Sequence, residues 1–146
     1  MVTTSRSTHC FVAGMIILAG GMAPVAAKDG DAALKIELNG LEQVDKACRM
    51  TFVVENALAA TITKAVFEVA LFDAKGLVER LMVLDFRDLP KGRTRVRQFD
   101  AADTSCGAVS RILVNDATEC AGEGLDPAAC IEALTTSTTT QTEFGI

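Results

Sequence analysis

The chain has 146 residues, of which 49% are hydrophobic, and its formal net charge is −5 at pH 7. This length and hydrophobic content are typical of one folded domain, and they exclude a chain that is disordered throughout. A nucleic-acid-binding protein needs a basic surface, whereas this chain has 14 Lys and Arg against 19 Asp and Glu. We therefore expect no nucleic-acid partner.

The N-terminus has the pattern of a secretory signal peptide. A single positive charge, Arg6, precedes an uncharged apolar and glycine stretch at positions 10–23, which is short for a membrane span. Val25 and Ala27 are the small residues that signal peptidase needs, so cleavage is predicted after Ala27. Residues 1–27 are thus predicted as signal, which leaves a periplasmic or secreted protein with no stable membrane insertion. The alternative is a retained N-terminal anchor helix. The sequence does not decide between the Sec and the Tat export route.

Cleavage at this position changes the chemistry that is available to the protein. It removes Arg6 and the only histidine, His9, so 13 basic and 19 acidic side chains remain, a net charge of −6. Without an imidazole, the mature chain cannot form a Ser-His or Cys-His nucleophile or a His-ligated metal site. We therefore predict that the protein is not an enzyme and has no cofactor and no metal site.

Four cysteines remain in the mature chain, namely Cys48, Cys106, Cys120 and Cys130. An even number of cysteines in an exported chain predicts two disulfides. Of the three possible pairings we favour Cys48 with Cys106 and Cys120 with Cys130. The competing interpretation is a redox or metal site, but the chain lacks both the Cys-x-x-Cys motif and the close paired spacing of zinc ribbons.

Alternation of apolar and polar residues predicts most of the chain as β-strand. Leu34–Leu38 alternates strictly, and the residues from Asn39-Gly40 to position 46 predict a loop before a second strand at 48–55. Branched and aromatic residues at 64–72 and 77–86 flank Asp73–Gly76, which predicts a hairpin with a glycine turn. Further strands are predicted at 93–99 and 109–114, with a turn at 89–92.

The end of the chain is predicted as a short helix followed by a tail. Asp126-Pro127 favours a helix start, with the helix at 128–134. Residues 135–146 hold six threonines and little hydrophobic content, which indicates a flexible Thr-rich tail; an added edge strand is the alternative. Because several strands are apolar on both faces, two packed layers are needed. The predicted fold class is mainly all-β, an immunoglobulin- or fibronectin-type antiparallel β-sandwich at 28–134 with a short C-terminal helix.

Several short motifs resemble a known family. The strand and glycine turn at Val66–Gly76, the turn at Leu89–Gly92 and the strand that ends in Phe99-Asp100 are similar to FxLYD-type Ig-like domains of bacterial exported proteins. The mature chain also resembles a group of small exported proteins of alphaproteobacteria, through Cys48-Arg49, Arg111–Asp116 and the two later cysteines. The resemblance implies an Ig-like fold and export from the cytoplasm, and it implies no activity.

The most suggestive surface feature is a basic row. Arg93, Arg95 and Arg97 occupy every second position of a predicted strand and so lie on one face. Such a row can contact an anionic partner. The structural interpretation, which we favour, is a solvated edge strand whose charges prevent sheets from pairing between molecules. The acidic segments at 115–119 and 123–126 are a further candidate, although they do not match an EF-hand calcium loop.

These observations predict a non-catalytic protein-interaction module of the bacterial periplasm with an unknown protein partner. The alternative is an accessory subunit, or a binder of small ligands or anions that uses the basic strand or the acidic C-terminal loops. Apolar residues on the outer faces of their predicted strands, such as Val53 and Leu113, are compatible with a monomer or a weak homodimer.

Overall fold

The computed structural model describes residue 1 and residues 32–146. The predicted signal peptide therefore lies outside the described residues, apart from Met1. Within the described residues there are eight strands, a 3-10 helix at Cys106–Ala108 and one short α-helix. The elements are β1 Leu34–Val44, β2 Ala47–Asn56, β3 Ile62–Phe72, β4 Val78–Leu89, β5 Thr94–Ala101, β6 Arg111–Ala121, α1 Ala129–Glu132, β7 Leu134–Thr138 and β8 Glu143–Gly145. No helix in this part of the chain is long and apolar enough to cross a membrane.

The strands form two sheets of four strands each. The first sheet has the order β5-β2-β1-β7 and the second has the order β4-β3-β6-β8. Neighbouring strands are antiparallel, except that β7 is parallel to β1 and β8 is parallel to β6. The first, second and fifth strands share one sheet while the third and sixth share the other, as in immunoglobulin-type sandwiches. The predicted fold class, a mainly β sandwich with a short C-terminal helix, is confirmed.

The core lies between the sheets because each strand turns alternate apolar side chains inward. Phe52 of β2, Phe67 of β3 and Phe86 of β4 are fully buried. The ring of Phe86 meets each of the other two edge-on, with 5.6 Å between centroids in both pairs, an arrangement that aromatic rings favour. This cluster joins the two sheets and fixes β4 against β2.

The first hairpin is longer than predicted. β1 continues through Asn39-Gly40, where a β-bulge shifts its register with β2 between Leu38 and Gly40, and it ends only at Val44. The chain reverses at the next two residues, where Asp45 has a φ of 50°. The predicted loop at 39–46 is therefore wrong, because a bulge accommodates the Asn-Gly pair without ending the strand.

The second predicted hairpin is confirmed. β3 and β4 pair in antiparallel fashion, and the Asp73 carboxylate at the turn accepts hydrogen bonds from the N–H groups of Lys75 (2.8 Å) and Leu77 (2.9 Å). Gly76 has a φ of 78°, a left-handed conformation in which a side chain would be strained. The turn places the 12-residue strand β4 at the edge of the second sheet.

Both favoured disulfides are present. Cys48–Cys106 ties β2 to the 3-10 helix across a sequence separation of 58, and Cys120–Cys130 ties β6 to α1 across a separation of 10. Disulfides persist in oxidising compartments, so the two bonds indicate an extracytoplasmic environment.

The predicted C-terminal helix is shorter in the structure. Only Ala129–Glu132 is α-helical. Asp126 begins the preceding turn, since its carboxylate accepts a 2.8 Å hydrogen bond from the N–H of Ala128. The chain then passes directly from Ala133 into β7, so the predicted helix at 128–134 is too long at both ends.

Residues 135–146 are not a free tail. They contribute most of β7, which pairs with β1, and all of β8, which pairs with β6. Leu134 is buried, and the ring of Phe144 lies 5.4 Å from that of Phe52 in the core. Two apolar anchors thus hold a threonine-rich segment, and threonine itself favours strands. The folded domain therefore extends past the predicted boundary at residue 134, and the alternative of an added edge strand is the correct one.

Candidate functional site

The predicted basic row lies beside the seam where two open sheet edges meet. β5 and β4 are edge strands of different sheets, and they approach each other along one side of the sandwich. Arg93 precedes β5 and is exposed, whereas Arg95 and Arg97 lie on β5 and are half-buried. The two arginines share one face of β5, as predicted. That face is directed toward the seam, while Val96 between them is 58% exposed on the outer face.

Arg97 joins the two edges. Its Nε donates a 2.8 Å hydrogen bond to the backbone carbonyl of Phe86, and its Nη2 donates a 3.1 Å bond to that of Asp88. The Asp88 carboxylate lies 3.7 Å from Arg97 Nη2 and 3.9 Å from Arg95 Nη2. We name Arg97 with Phe86 and Asp88 the edge clasp. Because the guanidinium occupies edge carbonyls of β4, a further strand cannot pair with them.

A β-bulge lies within the clasped part of β4, between Phe86 and Asp88. The register between β4 and β3 shifts near Arg87, which has a φ of 61°. The Asp85 carboxylate accepts a 2.8 Å hydrogen bond from the N–H of Arg87 and so stabilises the bulge. Beside it, a groove of about 350 Å³ runs along the seam between Asp85 and Phe99. We name residues 78–85 the open half of β4, because the clasp begins only at Phe86.

The two predicted acidic segments have different surroundings. Residues 115–119 belong to β6, so the predicted loop there is wrong, and residues 123–126 form a turn between the second pair of disulfide-bonded cysteines. Among residues 32–146, no group of three or more His, Cys, Asp or Glu side chains is placed to hold a metal ion. The acidic residues of β6 instead contribute to the outer surface of the second sheet.

The outer surface of the second sheet combines apolar and acidic side chains. Its central part consists of three rows of paired residues, each running across β4, β3 and β6. We name this set the acidic face, and its rows are Leu81, Ala70 and Leu113; Val83, Glu68 and Asp116; and Asp85, Val66 and Glu119. Leu81 and Val83, at the edge, are 58% and 64% exposed. Apolar side chains of this size are therefore in contact with water on an edge strand.

Most acidic side chains of this face have no cationic partner. Glu119 forms an ion pair with Lys64 at 3.4 Å. Glu68 accepts a 2.6 Å hydrogen bond from the amide of Asn115, and the carboxylate of Asp116 accepts one from a backbone N–H. Within residues 32–146, the ion pairs do not include Glu68, Asp85 or Asp116. The apolar row of the acidic face is thus bordered by uncompensated negative charge.

The outer surface of the first sheet is different, because its charges are paired across strands. Lys35 contacts Glu55 at 3.3 Å, and Arg49 donates two hydrogen bonds of 2.8 Å to the carboxylate of Asp100. This hydrogen-bonded contact raises the pKa of Arg49 and lowers the pKa of Asp100. Opposite charges on facing residues stabilise a sheet modestly. The first sheet therefore presents a largely neutralised surface, whereas the second presents the acidic face.

A second groove, of about 590 Å³, lies beside the connection between β7 and β8. It is bounded by Gly40-Leu41, Cys106-Gly107 and Thr140–Thr142, and none of these side chains is charged. The hydroxyl of Thr142 donates a 3.0 Å hydrogen bond to the carbonyl of Val109. This groove therefore offers no charged side chain to a ligand, and the hydroxyl of Thr142 is already used in an internal hydrogen bond.

Comparison of the sequence with protein-family models and with curated proteins found no match. The structure is similar to the solved structure of IrmA from Escherichia coli, with a TM-score of 0.59 and 11% sequence identity. The similarity covers 71% of this chain and 90% of that chain. At this level of identity the likeness shows a shared sandwich fold. The site described above rests on the geometry of this chain.

The acidic face and the open half of β4 were not predicted from the sequence. Leu113 was expected on an outer face, but nothing local shows that Leu81 and Val83 lie beside it and at an edge. One signal was present, because residues 81–84 are apolar at successive positions. In an edge strand, such a run exposes apolar side chains on one face.

Proposed function

We propose that this protein is an exported, non-catalytic protein-interaction module of the bacterial periplasm that binds its partner through the acidic face and the open half of β4. The observation that carries the proposal is the exposure of Leu81 (58%) and Val83 (64%) on an edge with which no strand of the described residues pairs. Exposed apolar edge strands pair with other chains unless charges, bulges or a covering segment prevent it. A surface of this kind marks a binding site for protein in a folded, disulfide-bonded domain.

Export is supported by two independent features. Residues 1–27 have the charge, apolar stretch and small residues of a cleaved signal peptide. The four remaining cysteines form two disulfides, and disulfides form and persist in oxidising compartments. The Val66–Gly76 and Leu89–Gly92 motifs resemble FxLYD-type Ig-like domains of bacterial exported proteins, and this resemblance also supports export.

Anion binding by the basic strand has less support. The guanidinium of Arg97 is committed to two backbone carbonyls, and Arg95 shares the Asp88 carboxylate with it. Only Arg93 of the predicted row is exposed. An anion would have to compete with these internal contacts. Anion binding by the basic strand is therefore a weaker candidate function than protein binding through the acidic face.

Site-specific photocrosslinking in the producing cell tests the proposed function. The crosslinking amino acid p-benzoylphenylalanine is placed at Val83, and the matched control carries it at Thr135, which is exposed on the edge strand at the far side of the first sheet. We expect a discrete protein adduct from position 83 and none from position 135. Identical adducts from both positions, or none from position 83, would overturn the proposed binding surface.

The intact mass of the protein from the periplasm tests the export part. We expect a chain that begins at Lys28 and that takes up a thiol-alkylating reagent only after reduction. A retained N-terminus would contradict cleavage, and alkylation without reductant would contradict the two disulfides.

A further inference from the structure

We infer that the partner adds an extended segment to the open half of β4, and that this segment alternates basic residues, facing outward, with apolar residues, facing the core. The inference rests on the proposed function of the acidic face and specifies the chemistry of the partner. Addition of a strand to a sheet edge gives affinity through backbone hydrogen bonds and specificity through alternate side chains.

Among residues 32–146, no strand pairs with the outer edge of the open half, so its backbone is available for pairing. The carbonyl of Phe86 faces the seam, since it accepts a hydrogen bond from Arg97. Backbone groups alternate in direction along a strand, so the polar groups of Leu84 and Met82 face the same open side. The register with β3 also shifts near Glu79, so the regular part of the open half is 80–85. It extends over about 20 Å at about 3.3 Å per residue, which is long enough for a recognition strand.

The edge clasp sets the end of the added segment. Arg97 already occupies the carbonyls of Phe86 and Asp88, and the bulge at Arg87 turns the strand away from regular pairing. A partner strand that pairs with Met82 and Leu84 must therefore stop or bend at this point. The clasp fixes the register of the partner because pairing is possible on one side of it only.

The side chains beside the edge define the composition of the segment. Outward-facing residues of an added strand would lie beside Leu81, Val83 and Asp85, with Glu68 next to Val83 on the neighbouring strand β3. Lysine or arginine fits there, because the charged group reaches the carboxylates while the aliphatic part covers the apolar side chains. Inward-facing residues would meet Met82, which packs against the core at the open edge, and these positions favour apolar side chains.

A second copy of this chain fits the edge poorly. The chain has a net charge of −5, and a second copy would bring an identical acidic face beside the first. An antiparallel pair of β4 strands centred on Met82 would also place Glu79 of each copy opposite Asp85 of the other. Like charges directly opposite each other destabilise a sheet.

Peptide binding to the purified, disulfide-bonded protein tests the inference. The probe is a short fluorescein-labelled peptide of alternating Lys and Val. One control peptide alternates Glu and Val, and a second contains the same Lys and Val residues in two separate blocks. Fluorescence anisotropy should show binding of the alternating Lys peptide, and binding at least about tenfold weaker for both controls. Equal binding of the block peptide would mean that charge alone suffices and would overturn strand addition.

Variants of the protein localise the binding. We expect the double variant Leu81→Ser with Val83→Ser to weaken binding about tenfold or more. Glu68→Gln should also weaken it, while keeping an oxygen that accepts the hydrogen bond from Asn115. Val96→Ser is the matched control, because Val96 is similarly exposed but lies on the outer face of β5, and it should leave binding unchanged. Circular dichroism confirms that each variant is folded.

The outcomes separate this inference from the proposed function. Hydrogen exchange should show that the bound peptide protects the amides of Met82 and Leu84. A crosslinked partner at Val83 without peptide binding would leave the interaction module standing and overturn strand addition by a basic segment. A dimer in analytical ultracentrifugation that dissociates in the Leu81→Ser, Val83→Ser variant would identify a second copy as the occupant and would overturn it too.

Discussion

Replacement of Arg97 by alanine is expected to destabilise the fold, because the edge clasp joins the two sheets. The guanidinium donates hydrogen bonds of 2.8 and 3.1 Å to backbone carbonyls of β4, and the side chain is 20% exposed. Hydrogen bonds to charged groups contribute about 1.5–3 kcal/mol each. Since water replaces part of the lost contact at this partly exposed site, we expect a loss of roughly 2 kcal/mol in total. In urea unfolding followed by circular dichroism, this loss lowers the midpoint by about 1 M for a slope of about 2 kcal/mol/M.

Two further variants show whether the clasp or the positive charge is responsible. Arg95→Ala removes a charge from the same face, but its contact is a 3.9 Å ion pair with an exposed carboxylate, so the expected loss is below about 1 kcal/mol. Arg97→Lys keeps the charge and loses the planar fork, so it should retain most of the destabilisation. Equal midpoints for Arg97→Ala and Arg95→Ala would refute the clasp, and Arg97 would again be a candidate for contact with an anion.

Three more expectations concern stability, all measured by urea unfolding. Phe144→Ala removes a ring packed against Phe52 and should cost about 2 kcal/mol, below the range for a fully buried phenylalanine; an unchanged midpoint would mean that residues 135–146 do not hold the core. Loss of the Cys48–Cys106 bond should destabilise by about 4 kcal/mol and loss of Cys120–Cys130 by about 3, because the first closes the longer loop; the reverse order would contradict this argument. The contact with Arg49 lowers the pKa of Asp100 from 3.8, so the pair stabilises the fold above that pH. Its contribution should disappear as the pH falls through the lowered pKa. The difference between wild type and Asp100→Asn should therefore vanish in acid, and a constant difference would exclude this linkage.

The parts of the fold that were predicted correctly depend on local sequence. The hairpin of β3 and β4 was predictable because the residues of the turn themselves stabilise it. Asp73 accepts the hydrogen bonds, and Gly76 takes the left-handed conformation. Asn39-Gly40 carries an equally strong turn signal, yet β1 and β2 pair on both sides of it. Long-range pairing decides between a turn and a bulge, and local sequence does not contain that information.

The C-terminal strands depend on contacts even more distant in sequence. β7 pairs with the first strand of the domain, and Phe144 reaches Phe52 in the core. Composition alone makes residues 135–146 resemble a polar tail, because the six threonines outweigh the few apolar side chains. The spacing of Leu134 and Phe144, one at either end of the threonines, was the available signal for an anchored segment.

For the candidate site, period-two alternation correctly placed Arg95 and Arg97 on one face but could not say which way that face points. The same row continues to Phe99 and Ala101. Phe99 packs 5.0 Å from Phe86, and Ala101 is fully buried, so the row faces inward. Two apolar members of an otherwise basic row were thus a signal against a solvated face. Prediction of the acidic face would have required the pairing register between β4, β3 and β6, which the sequence of each strand does not provide by itself.

The two halves of β4 differ in a way that stability alone does not require. Edge strands are commonly protected by charged side chains, bulges or covering groups. The structure places the bulge at Arg87, the Asp85 carboxylate that stabilises it and the edge clasp together, at and beyond the end of the open half. Between this protected part and a second register shift near Glu79, the open half has exposed Leu81 and Val83 instead. A lysine at either position would keep its charge in water and would not disturb the core, so apolar side chains there are not needed for folding. An unprotected edge segment next to a protected one therefore has the properties of a binding strand with a defined end, and the edge clasp keeps the rest of the seam closed.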